Sequence, residues 1–204
     1  MQYALTSLGR LSRSQQELEE FIGAPLVDVF AKLLETETDK LPLKALQLYR
    51  DRYSRKGLFE SKVYAGVPAM LAEIENGGVN LFVVTAKPKV FAERVISHLS
   101  LGKYFYRIYG SELDGARSNK TDLIRHVLER GQLTPDEAVM VGDRYHDIIG
   151  AKANGLRSVG VLWGYGSREE LYCSEPDMIV DSPSSLPGAL SALGLARKSH
   201  ERKC

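Results

Sequence analysis

Over residues 1 to about 58, apolar positions recur at helical spacing and nowhere alternate. Residues 1–9 read as the end of a helix that stops at Gly9. Ser14 is placed to cap a helix over residues 15–22, which ends at Gly23. Pro25 opens another, with Leu26, Val29, Phe30, Leu33 and Leu34 on one face. A third starts at Asp39 or at Leu41-Pro42 and carries Leu46, Tyr49, Arg50 and Tyr53 along one side. This stretch predicts a small helical bundle without strands.

From Val67 onward the pattern changes to helices alternating with short apolar runs. Helix is predicted over residues 67–75, strand over 79–84, a turn at Thr85-Ala86-Lys87-Pro88, and helix from Pro88 to about Leu99. A short strand at 106–109 follows, then a helix over 120–130 capped by Ser118-Asn119. Residues 138–141 form the next strand, with Asp143 on its turn and Asp147 in the first turn of the helix after it. A strand over 158–162, the loop Gly164-Tyr165-Gly166, a short strand over 177–180 and a helix over 186–193 complete the pattern. Such alternation predicts an α/β fold: a Rossmann-like parallel sheet with helices on both faces. The expected organisation is a helical cap domain at 1–62, an α/β core at 63–195, and a polar, frayed tail at 196–204.

Composition narrows the class. Of 204 residues 44% are hydrophobic, as in an ordinary globular protein. Lys+Arg is 27 against Asp+Glu 26, a balance that argues against a general nucleic-acid binder. Cys173 and Cys204 make no disulfide framework, and a reducing, cytoplasmic setting is expected. No apolar run reaches the length of a membrane span, and no signal peptide is evident at the start. Oligomeric state is not legible.

Ligands of an open parallel sheet bind beyond the carboxyl ends of its strands. Thr85 ends one strand, Asp143 ends another, and Lys120 opens the helix that feeds the second. Asp147 lies four positions after Asp143, so both carboxylates can face one side and form an oxygen site suited to Mg²⁺. They can equally serve as helix caps. Thr85 can donate to a phosphoryl oxygen, amides behind Pro88 can add to that, and Lys120 can neutralise charge on a transferring group. Thr85 can equally be a plain turn former, whereas a lysine opening a helix opposes the macrodipole and is the less expected placement.

The order hydroxyl, lysine, Gly-Asp-x-x-x-Asp resembles the haloacid dehalogenase superfamily of phosphatases, in the phosphoglycolate-phosphatase-like branch with an early helical cap. Val-Val-Thr85-Ala86-Lys87 is similar to that family's second motif, Ser-Asn-Lys120 to its third, and Val-Gly-Asp143-Arg-Tyr-His-Asp147-Ile-Ile-Gly-Ala to its fourth. Phe21-Ile22-Gly23-Ala24-Pro25-Leu26 is similar to the cap segment that faces the active site. The resemblance implies Mg²⁺-dependent hydrolysis of a small phosphorylated metabolite such as 2-phosphoglycolate. Thr85 and Lys120 would be catalytic. Thr85, Ala86, Lys87, Lys120 and Gly23 would contact substrate, and Asp143 and Asp147 would hold the metal. Arg50, within a basic cluster formed with Arg52, Arg55 and Lys56, is a further candidate for an anionic substrate group if the cap closes.

The same family carries a first motif, Asp-x-Asp-x-Thr, whose first aspartate attacks phosphorus and whose second is the general acid and base. No Asp-x-Asp occurs anywhere in this sequence, and the first aspartate is Asp28, inside a helical pattern. The resemblance therefore implies a chain that begins about twenty residues late and lacks the central strand of the sheet. Unpaired buried backbone groups cost about 1–3 kcal/mol each, against a domain stability of about 5–15 kcal/mol, so instability of the isolated chain is expected. Three readings result: a phosphatase, a protein of the same fold that binds Mg²⁺ or phosphate without turnover, and a phosphoacceptor domain of response-regulator type. The last would need an early acidic cluster that is absent and leaves the helical segment unexplained. His146, between the two aspartates, reads as helix surface, since Mg²⁺ prefers oxygen. Gly164-Tyr165-Gly166 reads as a wall of the site.

Overall fold

Local capping chemistry sets where several of the helices begin. In the computed structural model, which describes residues 1–36 and 40–195, the helical part comprises α1 (Gln2–Ser7), α2 (Gln15–Glu19), α3 (Leu26–Leu34) and α4 (Lys40–Arg55). Ser14 and Glu17 form a reciprocal capping box at the start of α2. Pro25 precedes α3, where a preset φ suits a helix entry. The predicted start at Asp39 and the polar tail at 196–204 lie outside the described residues. α1, α3 and α4 bury Ala4, Leu5, Phe30, Leu34, Ala45 and Leu46 in a cluster of their own with Leu18 of α2.

The remainder comprises α5 (Val67–Asn76), β1 (Leu81–Pro88), α6 (Lys89–His98), β2 (Phe105–Ser111), α7 (Lys120–Gly131), β3 (Val139–Gly142), α8 (Tyr145–Ala153), β4 (Arg157–Val161), α9 (Arg168–Ser174), β5 (Met178–Val180) and α10 (Leu186–Ala192). All pairing is parallel, as the alternation predicts. The strands do not form one sheet, however. β1 pairs with β2, from Leu81 opposite Phe105 to Pro88 opposite Ser111. β3 pairs with β4 and β4 with β5, so the order of the second sheet is β3-β4-β5. Among the described residues no strand pairs with the second edge of β1 or of β3. Packing rather than backbone pairing couples the two sheets: Val84 of β1 lies against the cluster of Ile124 from α7, Met140 from β3 and Ala151 from α8. The larger core sits under the second sheet, where Val159, Val161 and Val180 meet Met70, Leu71 and Ile74 of α5 and Leu186, Ala189 and Leu190 of α10.

Two elements differ from the sequence reading. Residues 85–88, expected as a turn, continue β1, because β2 extends far enough to pair with them; Ser111 Oγ donates to the Ala86 carbonyl at 2.7 Å. The pattern of apolar positions does not predict α9. Its N-cap is Ser167, whose hydroxyl accepts from the Glu170 amide at 3.0 Å, and its apolar content is too short a run for periodicity to register.

α7 carries Lys120 at its first position, and its start is fixed by a side-chain cap. Asn119 Oδ1 accepts from the amides of Thr121, at 2.8 Å, and Asp122, at 3.3 Å. Asn119→Ala is expected to lower stability by about 1 kcal/mol, read as a shifted urea midpoint with unchanged slope.

Candidate functional site

The site is assembled where β1 and β3 end and α7 and α8 begin. Asp147 stands at the third position of α8, where its Oδ2 accepts from the Arg144 amide at 3.2 Å and closes the helix start. Its Oδ1 is 2.8 Å from Lys120 Nζ, in a pair whose side chains are only 13% and 10% exposed. The same ammonium donates to the Val84 carbonyl at 2.9 Å. One lysine thus ties the middle of β1 to the start of α8. The capping and charge-pairing uses of Asp147 are both realised.

Asp143, on the turn after β3, is held differently. Its Oδ2 accepts from the Tyr165 amide at 2.8 Å, while Oδ1 accepts no hydrogen bond among the described residues. The loop carrying Tyr165 closes so tightly that a Cβ at Gly166 would overlap the Asp143 carbonyl oxygen. Only glycine permits that approach, and the loop is a wall against Asp143. The two carboxylates therefore differ: Asp147 is committed to a cation and an amide, and Asp143 keeps an available oxygen.

Thr85 Oγ1 accepts from the Lys87 amide at 3.2 Å, so its hydroxyl hydrogen remains available to an anion. Ala86 gives its carbonyl to Ser111. Lys87 reaches toward the helical part: its Nζ donates to the Tyr53 hydroxyl at 2.7 Å and lies 4.4 Å from that ring centroid. A Cβ added at Gly23 would meet Arg144 and His146 at ordinary contact distance, and the Gly23 φ of +104° is a conformation that favours glycine. Arg50 makes none of these contacts; its buried Nε has no hydrogen-bond partner among the described residues, and burial lowers its pKa. Burial first, and then the Arg144 guanidinium, hold His146 below the ordinary histidine range.

Two residues that join the site were not legible in the sequence. Arg144 donates from its guanidinium to the carbonyls of Ile22 and Glu20 and from Nε to Glu170 at 2.8 Å, bridging the two parts of the chain. Its place inside the Gly-Asp-x-x-x-Asp run was a usable signal. Glu170, which also accepts from the Tyr145 amide at 2.9 Å, had none, because it belongs to α9.

The donor chemistry fits Mg²⁺. The candidate ligands are oxygens: Asp143 offers one without a competing hydrogen bond, whereas both oxygens of Asp147 are engaged, by Lys120 and by the Arg144 amide. No cluster of three or more His, Cys, Asp and Glu side chains exists among the described residues. Mg²⁺ suits such sparse sites, since it keeps waters and takes substrate phosphate oxygens beside one or two carboxylates.

Comparison with known proteins identifies the family and the fold. The sequence profile described as haloacid dehalogenase-like hydrolase matches residues 1–161. The chain is 39% identical over 176 residues to a 5'-nucleotidase of Pseudomonas aeruginosa, covering 86% of this chain and 79% of that one. It is 27% identical over 190 residues to a phosphoglycolate phosphatase of Vibrio parahaemolyticus, covering 90% and 83%. The crystal structure of a predicted phosphatase from Clostridium acetobutylicum superposes with a TM-score of 0.89 at 37% identity, covering 94% of this chain and 88% of that one.

Proposed function

We propose that this chain, which belongs to the haloacid dehalogenase-like hydrolases, carries the phosphate- and Mg²⁺-binding side of a phosphomonoesterase site formed by Thr85, Lys120, Asp143 and Asp147. The observation that carries the reading is Lys120. It is nearly buried, it bridges the Val84 carbonyl and Asp147, and it thereby places a positive charge beside Thr85, which lies within β1 three residues before that strand ends.

Each residue has a defined task. Thr85 donates its hydroxyl hydrogen to a phosphoryl oxygen. Lys120 neutralises charge on the phosphoryl group while holding Asp147 in place. Lys87, tethered to Tyr53, adds a second cation at the strand end. Asp143 would hold Mg²⁺ through its available oxygen, and Asp147, already engaged by Lys120 and the Arg144 amide, would add negative charge to the site. When bound, the ion supplies positive charge to the phosphoryl oxygens. The attacking carboxylate that the family resemblance implies is not among these residues, because the sequence has no Asp-x-Asp. Binding, orientation and charge neutralisation are what this chain's own side chains contribute.

Two substrate classes have support. The resemblance to the phosphoglycolate-phosphatase-like branch favours 2-phosphoglycolate, and the Pseudomonas relative's name favours a nucleoside 5'-monophosphate. Binding without turnover is the second functional reading, favoured by the absent Asp-x-Asp and by the lack of a third carboxylate beside Asp143 among the described residues. Titration calorimetry with inorganic phosphate, together with a colour assay on p-nitrophenyl phosphate, tests both. Phosphate affinity is expected to depend on Mg²⁺ and to fall at least about tenfold in Asp143→Asn. Phosphate binding that ignores both Mg²⁺ and Asp143 would overturn the site. Binding without colour release would select the non-turnover reading.

A further inference from the structure

A cavity of about 610 Å³ opens between the helical part and the loop that walls Asp143. Tyr165 bounds it from that loop, Tyr49, Tyr53 and Arg52 from α4, and Tyr3 and Gln15 from the first two helices. Two of its lining residues also contact residues of the phosphate site. The Tyr165 amide donates to Asp143, and the Tyr53 hydroxyl accepts from Lys87. The cavity thus lies one residue contact away from Asp143 and from Lys87, on the side of the helical part.

The lining specifies what the cavity suits. Volumes of this order hold ligands of drug size, well beyond a two-carbon acid. Four tyrosines around one space give large, flat, rigid contact surfaces. Tyr49 and Tyr53 are already stacked, with centroids 5.5 Å apart and planes at 11°, and Phe30 and Phe91 pack against them edge-on, which fixes the pair. Burial pushes the Tyr49 phenol up to about 12, so it stays protonated. Polar atoms are interleaved: Arg52 is paired with Glu60 at 2.7 Å, and Gln15 Nε2 donates to Glu19 at 2.7 Å, leaving amide and carboxylate positions at the rim for hydrogen bonds. A flat ring with donors and acceptors at its edge matches this combination. A short aliphatic acid would leave it unfilled.

Resting on the phosphate-site reading, we infer that this cavity receives the base of a nucleoside 5'-monophosphate, with Tyr165 the aromatic side chain that selects it. Tyr165 is the apt selector because the residue is 52% exposed and its structural duty is carried by its backbone amide. Its ring is thus available to a ligand, and changing it leaves the Asp143 contact in place.

The test is titration calorimetry of the whole chain in Mg²⁺ with four probes: adenosine 5'-monophosphate, adenosine, 2-phosphoglycolate and inorganic phosphate. The nucleotide is expected to bind at least about tenfold tighter than 2-phosphoglycolate or inorganic phosphate, the low end of what stacking on an aromatic side chain supplies. Tyr165→Ala is expected to reduce the ratio of nucleotide to phosphate affinity by about tenfold, and Tyr165→Phe to restore it. Nucleotide and phosphate of equal affinity would overturn the base site and leave the phosphate site standing. Adenosine bound in a Tyr165-dependent way without any phosphate binding would do the reverse. Binding of none of the four overturns both.

Discussion

Lys120→Met is expected to lower the stability of this chain by about 3 kcal/mol and to abolish its Mg²⁺-dependent phosphate binding. The methionine keeps most of the aliphatic stem, so the loss is electrostatic. It leaves the Asp147 carboxylate, 10% exposed, without its cation and the Val84 carbonyl without its donor. Breaking a pair at this depth from one side costs more than the pair itself contributes, because the remaining charge stays desolvated. Denaturant unfolding of Lys120→Met, Asp147→Asn and the double variant checks this. The double variant is expected to recover part of the single-variant loss, since the stranded charge is gone. Strict additivity would mean that Lys120 and Asp147 do not act as a unit. Phosphate binding should remain absent in the double variant, which separates the folding role of the pair from its role at the site.

The second large effect is expected at Gly142. A Cβ there would lie under 3.0 Å from the Cβ, Cγ and Oδ2 of Asp147, closer than real Cβ atoms approach other groups. Neither side can yield at low cost. Gly142 is held in β3 opposite Gly160 of β4, and Asp147 is held by its helix and by Lys120. Gly142→Ala therefore displaces the Asp147 carboxylate, breaks the pair with Lys120, and is expected to cost about 3 kcal/mol together with Mg²⁺-dependent phosphate binding. The phosphate titration and a thermal melt read the two effects separately. An alanine variant with wild-type melting and wild-type phosphate affinity would show that Asp147 has room to move. Asn119→Ala, by contrast, removes two hydrogen bonds at the helix start and is expected to cost only about 1 kcal/mol.

The two sheets bear on both predictions. With β1 and β3 unpaired to each other among the described residues, Lys120 and the packing of Val84 on Ile124 and Met140 join the two sheets. Loss of Lys120 thus acts on the arrangement of the crevice as well as on one ion pair. Sequestered apolar side chains align the sheets from the α7 side. The Lys120 ammonium joins β1 to the start of α8 beside the proposed site.

The change from a helical stretch to alternating strands and helices, the parallel pairing and most of the helix starts were legible from the residues alone, because each follows from local rules. Apolar periodicity separates the helical stretch from the alternating one. Asn119 and Ser14 mark helix starts by their side-chain oxygens. The Gly-Asp-x-x-x-Asp spacing fixes where two carboxylates stand relative to one turn of helix. The nature of the family was legible for the same reason, since its motifs are runs of a few residues.

What the residues could not determine is everything that depends on partners distant in the chain. The extension of β1 through Pro88 depends on where β2 ends. The commitment of Asp147 to Lys120, and not of Asp143, depends on how α7 packs on α8. The role of Arg144 as a bridge depends on the carbonyls of Glu20 and Ile22, far earlier in the chain. Local sequence sets backbone propensity and the direction of each side chain within its element. Which charge meets which, and which polar atom is left available to a ligand, is set when separate elements are brought into contact, and desolvation then decides which of those pairings persist.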